Sequence, residues 1–291
     1  MDVSKLDLSK YMNVLSTRHH YLPQFLLKGF ANSDGLLFIY DKRQDKILKK
    51  ARPPKSIFFE NNRNTIEINE ETKSSILEDV IYKDIDDKTC QVIKKYQSEK
   101  LEKIDFNSEE TAKIISFLQF LFWRIPKTDN TVNDLIDRAT NASESINFEF
   151  LRNDEVFRKF QRIYISAHSL REFKNSTQKK WVNLHQNNNS IYVIGDYPIV
   201  FRKAITKFSD FNDIDYLFAF SANRIYSSTK EALNEFPAIN SLLYNLCVIT
   251  QSENYVASGD FILLKQMVKS YKELQSSAYA FNENVFIFST I

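Results

Sequence analysis

The residue types best suited to chemistry gather first at Arg18-His19-His20-Tyr21, which places two of the chain's four histidines side by side. Imidazole is the only side chain whose ordinary pKa lies near neutrality, so such a doublet can donate a proton, accept one or ligate a metal. The residues that follow, Leu22-Pro23-Gln24-Phe25-Leu26-Leu27-Lys28-Gly29-Phe30, are mostly apolar or aromatic. Gln119 and Arg124 stand out for the opposite reason, since they interrupt Ile114 to Arg124, a segment apolar on nearly every face of a helix. A buried amide or guanidinium is costly unless partnered. Either backbone carbonyls or the acidic helix before it satisfy them, or they face a cleft, where arginine clamps a carboxylate or phosphate through two parallel hydrogen bonds. Asp196 lies between Gly195 and the Pro198-stiffened turn at the end of an apolar strand. That is a favoured place for a site residue on a rigid scaffold, and equally for an aspartate that caps its own turn.

A second kind of chemistry is electrostatic. From Lys42 to Lys55 there are seven basic residues, Lys42, Arg43, Lys46, Lys49, Lys50, Arg52 and Lys55, against the single acid Asp45. Such a patch can neutralise phosphates and make binding salt-dependent. It can also be a solvated hairpin whose lysines blunt an exposed edge strand. The patch has no interleaved aromatic residues of the kind that stack bases.

Composition bounds what these groups can serve. With 39 basic and 37 acidic residues the formal charge is only +2, so any polyanion binding must be local. Four scattered glycines among 291 residues leave no glycine-rich phosphate cradle, neither a P-loop nor a dinucleotide fingerprint. The two cysteines, Cys90 and Cys247, sit in apolar periodic segments, which predicts free thiols and a cytoplasmic protein. No signal-peptide pattern opens the chain and no apolar run approaches 18 residues, so no membrane role is expected.

The elements that must position these residues give an α+β fold, with a helical middle packed against N-terminal and C-terminal, mainly antiparallel, β elements. We expect one domain over residues 1–291: an arm at 1–17, the histidine motif and a β-hairpin at 18–70, helices at 74–176, and a β-rich part with closing helices at 177–291. Leu36 to Tyr40 reads as a strand returning through a turn onto Ile47-Leu48. Apolar residues recur at helical spacing from Ser74 to Tyr96, with Glu78, Asp79, Asp84, Asp86 and Asp87 between them. Asn107-Ser108-Glu109-Glu110 caps the next helix and Pro126 stops it. Two further helices are expected over Val132 to Phe150 and Val156 to Phe173, the second carrying His168. Trp181 to His185 and Ile191 to Ile194 predict a hairpin around Asn187-Asn188-Asn189-Ser190. Tyr216 to Phe220 and Arg224 to Ser227 predict two more strands, followed by a buried helix from Ile239 to Thr250, a short strand at Tyr255-Val256-Ala257 and a last helix from Phe261 to Leu274.

Taken in order, His19-His20-Tyr21 with Pro23, Leu27 and Phe30, the strand ending Tyr40-Asp41-Lys42, Gln119 with Arg124 and Pro126, and Asp196-Tyr197-Pro198 resemble the bacterial domain of unknown function 4238 family. Gly195 and Tyr197 replace the serine and asparagine usual there, and Asn240 and Tyr255-Val256 fit the closing segment. The resemblance implies one architecture in which these spaced polar residues meet, but no reaction.

Two functional expectations follow. In the first, the chain is an effector of a bacterial defence or toxin system, acting as a nuclease or other phosphoryl-transfer enzyme. His19 and His20 would be acid, base or metal ligands, Arg124 a phosphate clamp and Asp196 a ligand or orienting carboxylate. A divalent metal would be the cofactor, and Lys42, Arg43, Lys49, Lys50 and Arg52 would track nucleic acid, with Tyr21, Gln119 and Asn240 in supporting binding roles. In the second, the same residues form a non-catalytic sensor for a nucleotide, small anion or protein partner. A purely structural network remains the alternative to both.

Overall fold

The computed structural model describes residues 10, 12, 16–67, 71–97, 106–138, 154, 159–167, 170, 183–186, 191–201, 211, 214–228 and 240–276. Its architecture is α+β. One antiparallel sheet has the order β3-β2-β12-β8, built from β2 (Phe38–Asp41), β3 (Lys46–Ile47), β8 (Ile194–Gly195) and β12 (Tyr255–Ser258). A second has the order β7-β11-β10-β9, from β7 (Asn183–Gln186), β9 (Val200–Phe201), β10 (Tyr216–Ser221) and β11 (Arg224–Ser227). Two small ribbons complete the strands: β1 (Arg18–His20) pairs with β4 (Phe59–Asn61), and β5 (Ile66–Glu67) with β6 (Lys73–Ser74).

The helices form where sequence caps and periodicity coincide. The short α1 (Gln24–Lys28) follows Pro23. A π-helical turn (Leu77–Tyr82) leads into α2 (Lys83–Gln97). In α3 (Ser108–Arg124), Asn107 accepts from the Glu110 amide while the Glu110 carboxylate accepts from that of Asn107, a reciprocal cap that satisfies two otherwise orphaned donors. Ile125-Pro126 ends that helix, since proline disfavours a helical residue before it. The chain continues through α4 (Asp129–Arg138), a helical segment over 159–167, α5 (Asn240–Gln251) and α6 (Phe261–Ser276).

The core explains why α3 is apolar all round. Phe117 packs on Phe25 of α1 and on Phe218 of β10, while Phe122 packs on Phe201, Phe211, Trp123 and Tyr197. Its other flank meets α2. Helix α5 touches both β8 and β9 and so joins the two large sheets, and α6 covers β2 and β12. Aromatic side chains bury the most area per residue, and their edge-to-face contacts add about 0.5–1.5 kcal/mol per pair beyond that burial.

One predicted pairing is replaced. Asn183–Gln186 does not pair with Ile191 to Ile194; it pairs with β11, placing Ile225 opposite His185. Ile194–Gly195 pairs instead with Val256 and Ala257 of β12. Both arms are β-prone, and local propensity cannot choose between a near partner and a distant one that offers a larger apolar face. The β10–β11 hairpin, β12 and the two closing helices form where expected. His168 and the turn at 187–190 lie outside the described residues, as do most of the 1–17 arm and the later part of the Val132 to Phe150 helix.

Candidate functional site

The histidine doublet forms β1, with Arg18 opposite Asn61, His19 opposite Glu60 and His20 opposite Phe59. Alternation along a strand sends the two rings to opposite faces. His19 is fully buried. Its Nδ1 accepts from the Asn64 amide at 2.8 Å and its Nε2 donates to the Ser16 carbonyl at 2.7 Å. Both ring nitrogens are therefore occupied by backbone, which fixes the neutral tautomer protonated on Nε2. His20 is half-buried, 5.6 Å from the Phe59 ring, and its Nε2 is enclosed without a hydrogen bond. Burial holds its pKa below the ordinary histidine range, the Arg124 and Arg18 charges add to that, and the Lys55 and Pro54 carbonyls oppose it.

Beneath the ribbon lies a network of buried charges. Arg124 makes two hydrogen bonds to Asp86, at 3.1 and 3.2 Å, and lies 4.8 Å over the Tyr82 ring. The pair, 38 positions apart in sequence, is brought together by the antiparallel packing of α2 on α3. Burial pushes the Asp86 carboxyl up to about 6, against the downward pull of Arg124. Arg63 donates through Nε to the Arg124 carbonyl, through its terminal nitrogens to both oxygens of Asp129, and to Glu60. Arg162 also reaches Asp129, at 3.1 Å. Asn64 donates to Glu78, a residue of the π-helical turn that also carries Tyr82. The structure thus takes the structural option for Arg124, with the preceding acidic helix as its partner. Arg63, Asp129 and Arg162 were not singled out in the sequence, where Arg63 and Asp129 are ordinary charges in polar stretches, Arg162 is one basic residue of an amphipathic segment, and nothing local marks their pairing.

The remaining predicted site residues are dispersed. Asp196 is buried, accepting the Glu253 amide on Oδ1 at 2.9 Å and the Asn254 and Tyr255 amides on Oδ2 at 2.6 and 3.1 Å, so it ties the α5–β12 turn to β8. Next to it, a Cβ on Gly195 would collide with Ser252 Oγ and Val248 Cγ1, which accounts for glycine there. Tyr21 is buried, edge-on to Phe58, and its phenol is held well above its ordinary range by burial and by the nearby Asp196 charge. Gln119 is fully enclosed within α3. Asn240 is the first residue of α5. Lys42 Nζ donates to the carbonyls of Ile249, Thr250 and Ser252, and Lys127 Nζ to that of Gln251. These two ammonium groups sit where the C-terminal end of the α5 dipole favours cations. Arg43 bonds the Tyr255 hydroxyl and lies 5.0 Å over that ring.

Electrostatically, then, Arg124 lies within reach of His20, and Asp196, Glu60 and Arg63 within reach of Tyr21. Among the described residues no three His, Cys, Asp or Glu side chains are grouped to hold a metal ion. No described helix is long and apolar enough to cross a membrane.

The rest of the basic segment behaves differently. Lys46, Lys49, Lys50, Arg52 and Lys55 are all exposed, and none of them pairs with a described carboxylate. They follow one continuous path: edge strand β3, the bend after it, the Leu37–Arg52 bridge, and the turn whose Pro54 and Lys55 carbonyls face His20. Arg18 extends the path from the neighbouring ribbon, 5.0 Å over the Phe59 ring.

Neither the curated proteins nor the solved structures contain a match to the chain. A family model does match, over residues 18–214, a span that opens at the β1 ribbon and takes in the buried charge network and Asp196. The chain belongs to the family described as protein of unknown function (DUF4238).

Proposed function

We propose that this protein is a non-catalytic module that binds nucleic acid through the phosphate backbone, along the path from Lys46 to Lys55. One observation carries the reading. The cations of this stretch are exposed and have no carboxylate partner among the described residues, whereas Lys42, Arg63 and Arg124 are each consumed by carbonyls or carboxylates. Cations that carry their own counterions release them when a phosphate takes their place, and that release drives binding. The residues expected to act as catalysts point the same way. His19, Arg124 and Asp196 spend their hydrogen bonds on the fold, and His20 Nε2 is closed off from solvent.

The test is a salt titration of binding to labelled RNA, single-stranded DNA and duplex DNA, with magnesium, manganese or EDTA in parallel lanes. Five phosphate contacts predict a log–log salt slope of roughly −3.5 for a single strand and about −4.5 for a duplex. The triple variant Lys49→Ala/Lys50→Ala/Arg52→Ala should lose most of that slope, and every strand should remain intact. Binding that ignores salt overturns the proposal. Cleavage abolished in folded His20→Ala replaces it with the nuclease reading.

A further inference from the structure

Between β3 and the outward face of α6 lies an open groove of 420 Å³, bordered by Ile47, Lys265, Val268, Lys269, Lys272 and Glu273. That volume lies within the range of small-ligand sites, about 300–1,000 Å³. Its floor is apolar, with half-buried Ile47 facing buried Val268. Its helix wall is a stripe of lysines at spacings of four and three, which places them on one face of α6. The opposite wall is β3, which lines the groove with Ile47 alone; Lys49 and Lys50 follow in the exposed bend just past the strand. Two acids temper the charge. Asp45 pairs with Lys272 at 2.7 Å and so pins the hairpin turn to the helix, and Glu273 lies 3.7 Å from Lys269. Lys265 is exposed and pairs with no described carboxylate.

Resting on the backbone-binding reading above, we infer that this groove is part of the same track and selects single-stranded nucleic acid. A slot with an apolar floor and cationic rims has places for both parts of an unpaired nucleotide. The flat face of the base covers Ile47, Val268 and the lysine stems, and the flanking phosphates meet the ammonium groups of the helix wall and, past the end of β3, those of Lys49 and Lys50. A duplex keeps its base faces stacked inside two backbones, so it can meet the rims but cannot fill the floor. Among the described lining residues the floor side chains, Ile47 and Val268, are apolar and offer nothing to read base edges, so recognition is sequence-tolerant.

The experiment is fluorescence anisotropy of the full chain with oligo-dT and oligo-U twelve nucleotides long and with a twelve-base-pair duplex. Three proteins are compared: wild type, Lys265→Ala/Lys269→Ala, and Lys49→Ala/Lys50→Ala/Arg52→Ala, each checked for an unchanged melting temperature. Wild type should bind the single strands more tightly than the duplex. The helix double variant should weaken single-strand binding about tenfold and flatten its salt slope by about 1.4, two contacts at 0.7 each, while leaving duplex binding near wild type. The dT and U arms distinguish DNA from RNA as the source of the strand. Equal binding of duplex and single strand, or a helix variant indistinguishable from wild type, overturns the inference. If the hairpin triple variant still loses binding in that case, the backbone-binding reading stands without it. A wild type that binds none of the three probes removes both.

Discussion

The network under the β1–β4 ribbon and the ridge from Lys46 to Lys55 are both rich in cations, yet the chain uses them in opposite ways. In the network every arginine faces a carboxylate: Arg124 meets Asp86, Arg63 meets Asp129 and Glu60, and Arg162 meets Asp129. In the ridge no described carboxylate faces Lys49, Lys50 or Arg52. Burial makes the difference. An enclosed guanidinium must be neutralised by its own chain because water cannot do it, whereas an exposed ammonium stays available to a ligand. Residue type therefore says little about role here, and pairing says a great deal.

The comparison breaks most visibly at Arg124. Arg124→Ala leaves Asp86 buried against α3 without its guanidinium, and unfolding in urea should show a loss of about 3–5 kcal/mol. A loss below about 0.5 kcal/mol would place Arg124 outside the fold's support and return it to a binding role. Asp196→Ala comes next. It deprives three backbone amides of their acceptor, and the same measurement should give a loss of about 2 kcal/mol. An Asp196→Ala protein as stable as wild type would mean that the turn does not need its cap.

His20 sharpens the contrast through pH. Burial lowers its folded pKa below the unfolded value of about 6.5, so as the pH falls through that range the folded state binds fewer protons than the unfolded state. Its contribution to stability is present above about pH 6.5 and is lost as the pH drops toward the lower folded pKa. Between about pH 7.5 and about pH 5.5, wild type should lose more stability than His20→Gln. Parallel profiles for the two proteins would show that the ring is not desolvated. The smallest effect on stability belongs to the ridge. Lys49→Ala/Lys50→Ala/Arg52→Ala should melt within about 0.5 kcal/mol of wild type while losing affinity for nucleic acid. A large destabilisation would assign those cations to the fold and erase the distinction.

Much of the architecture is written locally. The Asn107–Glu110 cap, the proline stop after Arg124, the β10–β11 hairpin and the closing strand and helices depend on residues within a few positions of each other, and they form where the pattern says. Even the alternative partner for Arg124 was legible, because an acidic amphipathic helix precedes an apolar one that must be buried. By itself the sequence determined the α+β class, the buried central helix, the family and the clustering of seven basic residues against one acid from Lys42 to Lys55. The tertiary structure alone decided that β7 joins β11 and β8 joins β12, that His19 is held by the Ser16 carbonyl and the Asn64 amide, and that Asp196 answers three amides nearly sixty residues away. It also brought α6 alongside β3 to make the groove. The reason is the same in each case. A side chain's type and spacing fix what it is able to bond, but the partner it meets depends on which distant segments pack together, and that choice belongs to the whole core.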